Sequence, residues 1–468
     1  MTPAVHLSDR RQLLTGAALG VYGAAIALAP SFTLKLLLVA PIGILPVLWP
    51  LISIPNCWLA GFCAVALLAP PLPIAIGDTG PHPALLFAGA GLFAGFVRLS
   101  EWRLRADPPA FAVLFFALIL LASIPMAAVY SGLAVAAASL ARVALFGISV
   151  FVFLYVRDGP GRMTDARSFR ALRWLFWAAA LSALFACVDF YFQFPAPAGY
   201  EPQFVWMSSG VFRRAQGVFY EASTLGNLCA FFLEMIAVAL FRPRDEQPVS
   251  RWAMFAGGAA LAAALVLSYS RGSLINLAVA LVVLFWLQRS RIRWRSLLAG
   301  LTIFGIGAAA VLAIAFPRFT GFYWVRISTA FQFFFESPNA VLSGRLASWE
   351  LLSRFVMEHP WHMLLGVGYK TLPYSDFIGT KAVGDNTYLT LLVETGVLGL
   401  ITVLALNAVI LTTAYRAFRS ANSLRSFCGA WMFCFWAGQS VQMLSADLLT
   451  YWRVLPVYFF VFALAARE

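Results

Sequence analysis

Polar residues are scarce in this chain, so the few that interrupt its apolar runs carry most of the chemical information. The stretch LVLSYSRGSLINLAV (265–279) sets Arg271 between two apolar runs, beside Ser270, Gly272 and Ser273. A guanidinium is a planar, permanently charged fork that suits phosphate oxygens. The serines add hydroxyl donors, and the glycine allows close approach. The competing readings are an arginine that snorkels to a membrane interface and one that caps a helix C-terminus. A second cluster, FRRAQGVFYEASTLGN (212–227), holds Arg213, Arg214 and Glu221. The arginines are anion-binding or solvated loop charges. Glu221 is a catalytic or sugar-binding carboxylate, or the cap of the next helix. A third, KAVGDNTYLTLLVETGVLGL (381–400), places Asp385 and Asn386 at a helix start and Glu394 two turns deeper among leucine and valine. At that depth Glu394 needs a partner, and an arginine from another helix would serve.

Other polar residues point to less. His359 and His362 flank Pro360, which breaks the helical face that a metal pair would need. Asp189 and Glu234 are isolated within apolar runs and receive no role. The six cysteines lie in or beside apolar runs with no CxxC pair, so neither a zinc site nor a disulfide framework is expected. No metal or other cofactor is expected.

The elements that position these residues follow from composition. Of 468 residues, 62% are hydrophobic and 11% charged, against roughly 25% charged in soluble domains. That deficit indicates a single all-α polytopic membrane domain over 1–468. The net charge of +13 is spread in short arginine clusters between apolar runs, which argues against a nucleic-acid groove. The first apolar run follows Arg10 and Arg11 without a small-residue cleavage site, so no cleavable signal is expected.

Fourteen apolar runs are long enough to span: 13–30, 33–52, 56–77, 83–98, 110–128, 131–156, 171–193, 223–241, 252–269, 272–288, 296–316, 386–413, 426–445 and 450–466. Prolines from Pro30 to Pro55 interrupt the first region, so the expected count is about 12–14. With both termini in the cytoplasm, alternate connections collect most of the arginines, including the clusters 157–173 and 289–295. These clusters are read as topological signals. Two long segments, 194–222 and 317–385, then fall on the periplasmic side, level with Arg271. Within the larger one, SGRLASWELLSRFVMEHPW places Ser343 as an N-cap before Leu346, Trp349, Leu352 and Phe355. That spacing predicts an amphipathic helix near 344–358 that lies at the membrane surface or roofs the domain. LLGVGYK follows, where Gly366 and Gly368 permit a tight turn.

Four stretches in this order resemble the O-antigen ligase and O-antigen polymerase superfamily of bacterial glycan transferases: RRAQGVFYEASTLGN, SYSRGSLIN, SGRLASWELLSRFVMEHPWHMLLGVGY and DNTYLTLLVETGVLGL. They span roughly 210–400. The resemblance implies a GT-C-like helical bundle of the cell inner membrane with a large helical periplasmic loop. It implies transfer, on the periplasmic side, of a glycan from undecaprenyl pyrophosphate to a glycan or lipid A–core acceptor. On this resemblance Arg271, Arg214 and Arg345 match arginines of the family, with Arg213 beside them, as donor pyrophosphate ligands. Glu221 and Asp385 are then the catalytic carboxylates. Many ligases carry histidine where this chain has Asp385, and FYEAS is similar to the Glu-Pro-Ser stretch of polymerases. Both departures favour a polymerase over a ligase. A lipid-linked glycan transporter is the rival from another class, but the halves show no convincing repeat.

Overall fold

In hydrocarbon a backbone must satisfy its own hydrogen bonds, so long apolar runs become helices. The computed structural model describes residues 7–29, 31, 35, 49–73, 81–197, 200–207, 210–290, 320–321, 324–325, 328, 332–333, 335–336, 339, 344–373 and 384–467. The helices are α1 (Leu7–Leu28), α2 (Cys57–Leu68), α3 (Ala84–Val97), α4 (Pro108–Ala122), α5 (Ile124–Ser131), α6 (Leu133–Arg157), α7 (Asp165–Phe192) and α8 (Ala222–Leu240). They continue with α9 (Arg251–Leu267), α10 (Arg271–Leu287), α11 (Arg345–Glu358), α12 (His362–Leu365), α13 (Thr387–Phe418), α14 (Ser423–Gln442) and α15 (Leu455–Ala465). Among the described residues the only sheet is the hairpin of β1 (Phe204–Met207) and β2 (Gly210–Arg213).

The chain is an all-α polytopic membrane protein. Among the described residues five stretches are long and apolar enough to cross a membrane: α4 with α5, α6, α7, α8 and α13. Further apolar helices are shorter, as in α2, α3, α9, α10 and α15. Twelve of the fourteen expected spans coincide with helices. The other two, 33–52 and 296–316, lie largely outside the described residues. The span expected at 110–128 is divided at Ser123, because Pro125 cannot continue the hydrogen-bond ladder. Large apolar side chains such as Phe111, Leu118, Trp174 and Leu181 stay exposed on α4 and α7, as lipid-facing surfaces require.

At the centre α14 packs against α8, α10, α13 and α15. Polar side chains join these helices inside the apolar core. The Nδ2 atoms of Asn227 (α8) and Asn276 (α10) both donate to Gln439 and Gln442 of α14, at 2.6–3.0 Å. Tyr458 of α15 donates to Asn227 Oδ1 at 2.6 Å. Such bonds hold helices together where no water competes. Gly438 lets α14 approach Asn276 so closely that a Cβ would collide with its backbone.

Two ends of the bundle are distinguishable by what meets there. At one end Arg467 donates to Val156 O (2.8 Å) and Met163 O (2.9 Å), Arg242 to Ser426 (2.7 Å) and Arg173 to Pro248 O (2.8 Å). These are the arginine-rich connections. At the other end Arg214 donates to Ser268 O (2.8 Å), Thr387 N to Met443 O (2.8 Å), and Lys370 pairs with Asp447. The connections around 157–173, 242–251 and 467 thus meet at one end, and those around 214, 268, 370, 387 and 447 at the other; the cluster 289–295 lies largely outside the described residues.

The helix expected near 344–358 is α11. It packs on α13, burying Leu352, Phe355 and Val356 against Val367 and Val393, with Trp349 half-buried. The residue at the cap position is Gly344, with φ of 81° and no side-chain cap; Ser343 lies outside the described residues.

Candidate active site

A broken helix and a glycine turn build the site. In α13, Gly396 has φ of 73° and ψ of −170°, which interrupts the helix. The interruption frees the carbonyls of Val393 and Glu394. They accept from Val367 N (3.0 Å) and Gly368 N (2.8 Å) of the LLGVGYK turn. Gly366, with φ of 72°, lies so close to the Glu394 and Thr395 backbone that a Cβ would collide with it. The G-x-G and E-x-G motifs thus form one backbone zipper. Ser123 and Ser139 fasten the turn to α4 and α6 through Tyr369 N (3.2 Å) and Tyr369 O (2.5 Å). Arg142 donates to Lys370 O at 3.2 Å. The result holds Lys370, itself at φ of 56°, over a cavity.

The cavity has a volume of about 320 Å³. Its wall carries three cations, Arg142, Arg345 and Lys370, and four carboxylates, Glu221, Asp385, Glu394 and Asp447. Lys370 pairs with Asp447, and Arg345 Nε lies 3.5 Å from Asp385. Glu394 lies near Lys370 and the backbone amides of Lys370 and Leu372. Asn386 caps α13, accepting from Tyr388 N and Leu389 N at 3.1 Å. Asp385 is left to face Arg345. Burial pushes the Asp385 carboxyl above its ordinary value, against the opposing pull of Arg345.

Glu221 occupies the cap position of α8 but does not cap it. Gln203 does so instead, its Oε1 accepting from Ala222 N at 3.0 Å. Glu221 Oε2 accepts from Thr224 Oγ1 at 2.5 Å, and Arg214 and Lys370 are the cations whose charges reach it. Burial raises its carboxyl above the ordinary range despite the Thr224 hydrogen bond and those charges. A half-buried carboxylate with a raised pKa, relieved of capping and facing a polar cavity, has the makings of a general base.

Residues 256–404 match a family model described as O-antigen ligase. That segment, about a third of the chain, is similar to the O-antigen ligase family. The match supports ligase- or polymerase-type chemistry in general. No curated protein matches the chain.

The matched segment supplies Arg345, Lys370, Asp385 and Glu394; Arg142, Glu221 and Asp447 come to the cavity from outside it. Of the residues expected from sequence, Glu221, Asp385 and Arg345 line the cavity together, and Arg214 stands beside Glu221. Arg213 is engaged elsewhere: it pairs with Asp189 of α7 at 3.3 Å and donates to Phe194 O. Arg271 is the first residue of α10 rather than the last residue of a helix. It is exposed, and its neighbour Gly272 abuts Gln442 and the cavity residue Ser445. A cation at a helix N-terminus opposes the helix dipole, so the helix itself gives Arg271 no reason to be there.

Sequence reasoning passed over Lys370, Arg142 and Asp447. Lys370 directly follows the quoted glycine turn, and Asp447 sits in SADLLTYWR between two apolar runs. Either was visible as a charge that topology does not explain. The cation whose charge reaches Glu394 is the lysine of the turn, which is itself paired with Asp447. Among the described residues, no group of three or more His, Cys, Asp or Glu is placed to hold a metal ion.

Proposed function

We propose that this protein is a glycosyltransferase of the inner membrane that elongates a surface polysaccharide, with undecaprenyl pyrophosphate as the donor carrier and the cavity open to the periplasm. The observation that carries this reading is Glu221, placed between cations and a polar cavity without a capping task. In the reaction an acceptor hydroxyl oxygen attacks the anomeric carbon of the donor sugar. The bond from that carbon to phosphate oxygen breaks, and undecaprenyl pyrophosphate leaves with the electron pair. Glu221 takes the hydroxyl proton. Arg345, Lys370 and Arg142 face the charge that grows on the leaving oxygen, with Arg214 and Arg271 extending the positive field at the rim. Cations fixed in advance stabilise that charge more than the ground state. Lys370 and Arg345 are held by Asp447 and Asp385 before substrate arrives, so they enter pre-positioned.

The test is donor turnover by purified protein in detergent. Release of undecaprenyl pyrophosphate in the presence of acceptor is expected. Movement of intact donor across liposomes without turnover would replace the enzyme with a transporter. The matched family's description favours a second reading, a ligase that joins glycan to lipid A–core. A deletion strain separates the two: single lipid-linked repeats mark a lost polymerase, and full-length polymer stranded on its carrier marks a lost ligase. Orientation is checked by cysteine labelling from outside on a background lacking the six native cysteines. Position 202 should label and position 165 should not.

A further inference from the structure

A second cavity also meets Glu221. This cavity, of about 210 Å³, shares Glu221, Thr450 and Tyr451 with the first but differs in character. It is below the roughly 300–1,000 Å³ typical of drug-sized ligands, and suits a single ring. Its walls are aromatic: Tyr200 and Tyr220, with ring centroids 5.2 Å apart, face the same space as Phe219 and Trp452.

The pocket is rigidly built. Arg453 donates to Ala66 O (3.0 and 2.6 Å), Ala69 O (2.8 Å) and Val218 O (2.7 Å), tying the end of α2 to the turn before α8. The same guanidinium lies 4.6 Å over the Phe219 ring. The ring nitrogens of His82 are engaged by Ala69 O and Ala84 N, both at 3.1 Å, and the ring meets Trp452 edge-on. Arg453 and His82 are thus scaffolding. Tyr220 is held in the left-handed region, at φ of 55°, which a bulky side chain adopts only when its surroundings demand it. Gln216 fixes that corner by donating to Tyr220 O at 2.7 Å. The strained corner keeps the ring on the cavity wall.

A pyranose has an apolar C–H face and a rim of hydroxyls. Aromatic rings offer flat apolar surface with polar tips, while the Thr224 and Thr450 hydroxyls and the Glu221 carboxylate supply partners for the rim. A lipid tail would find too many polar groups here. We propose that this aromatic pocket is the acceptor subsite, seating the terminal sugar of the acceptor with its attacking hydroxyl at Glu221, opposite the leaving group in the charged cavity. This assignment rests on the glycosyltransferase reading, and follows from one base lining both cavities: a general base must touch the attacking hydroxyl, while the leaving group departs on the far side.

The test uses two probes on full-length protein in detergent: short oligosaccharides released by mild acid from the producing strain's own surface polysaccharide, and inorganic pyrophosphate. Trp452→Ala removes one wall, and Tyr220→Asn removes the other while tolerating the left-handed backbone. Each variant should weaken oligosaccharide binding about tenfold, as expected for losing one aromatic face, and leave pyrophosphate binding unchanged. Acceptor KM should rise by a similar factor, with kcat falling less. Arg345→Ala should do the reverse. Unchanged oligosaccharide binding in both variants, at wild-type melting temperature, overturns the subsite, as does joint loss of both probes. If wild-type protein turns over no donor while the variants still lose oligosaccharide binding selectively, the glycosyltransferase reading falls and the sugar pocket stands.

Discussion

The two cavities beside Glu221 have almost opposite walls. One is built from ion pairs, Lys370 with Asp447 and Arg345 with Asp385. The other is built from rings, with its buried arginine saturated by backbone carbonyls. Charge and flat apolar surface recognise different parts of a lipid-linked sugar. The contrast teaches that a single carboxylate can serve two partners when the fold gives each its own environment. It also separates what each wall should respond to: salt and charge removal on one side, ring removal on the other.

The largest effect should come from the residue common to both. Glu221→Gln should lower turnover about a hundred- to ten-thousandfold, the usual range for a lost general base, with binding of either probe nearly intact. Near-normal turnover would leave both cavities without a shared chemical centre. Next is the charged wall. Lys370→Met should cost about a hundredfold in turnover, and should lower the melting temperature because it strands the partly buried Asp447 without its cation. Lys370→Met combined with Asp447→Asn should recover the melting temperature but not the rate. Recovery of both would make the pair purely structural.

A smaller effect is expected at the rim. Arg271→Ala should reduce turnover about tenfold at low ionic strength and less in high salt, since exposed charge is screened. It should leave stability unchanged or slightly raised, because it removes a cation from a helix N-terminus. A rate insensitive to salt and to this change would confine the anion field to the cavity wall.

The smallest effect is on pH dependence. Burial raises the Glu221 pKa, so the folded state holds that proton more tightly than the unfolded chain does. Ionising it therefore subtracts stability as pH rises through the raised pKa, and Glu221→Gln should melt slightly higher than wild type at neutral pH but not in acid. Turnover should run the other way. It should fall as pH drops through the raised pKa, because the base is then protonated. A rate that stays flat well into the acid range would remove Glu221 as the base.

Much was legible before any coordinates. Arg214, Glu221, Arg345 and Asp385 each broke an apolar or loop context with a charge, and all four meet at one end of the bundle. Arg213 was indistinguishable from Arg214 by position. Only the hairpin and α7 decide that one turns to Asp189 and its neighbour toward Glu221. Asp385 and Asn386 were equally ambiguous as helix starters; the backbone gives the cap to Asn386 and leaves Asp385 for Arg345.

The sequence by itself determined the fold class and most of the spans, because hydrophobic run length is a local property read directly by the membrane. Tertiary structure alone decided the pairing of Lys370 with Asp447, the release of Glu221 from capping by Gln203, and the existence of two cavities. Those outcomes depend on which distant segments the broken helix at Gly396 and the left-handed corner at Tyr220 bring together. No local pattern encodes that, since residues separated by scores of positions must find one another before their charges and rings have anything to act upon.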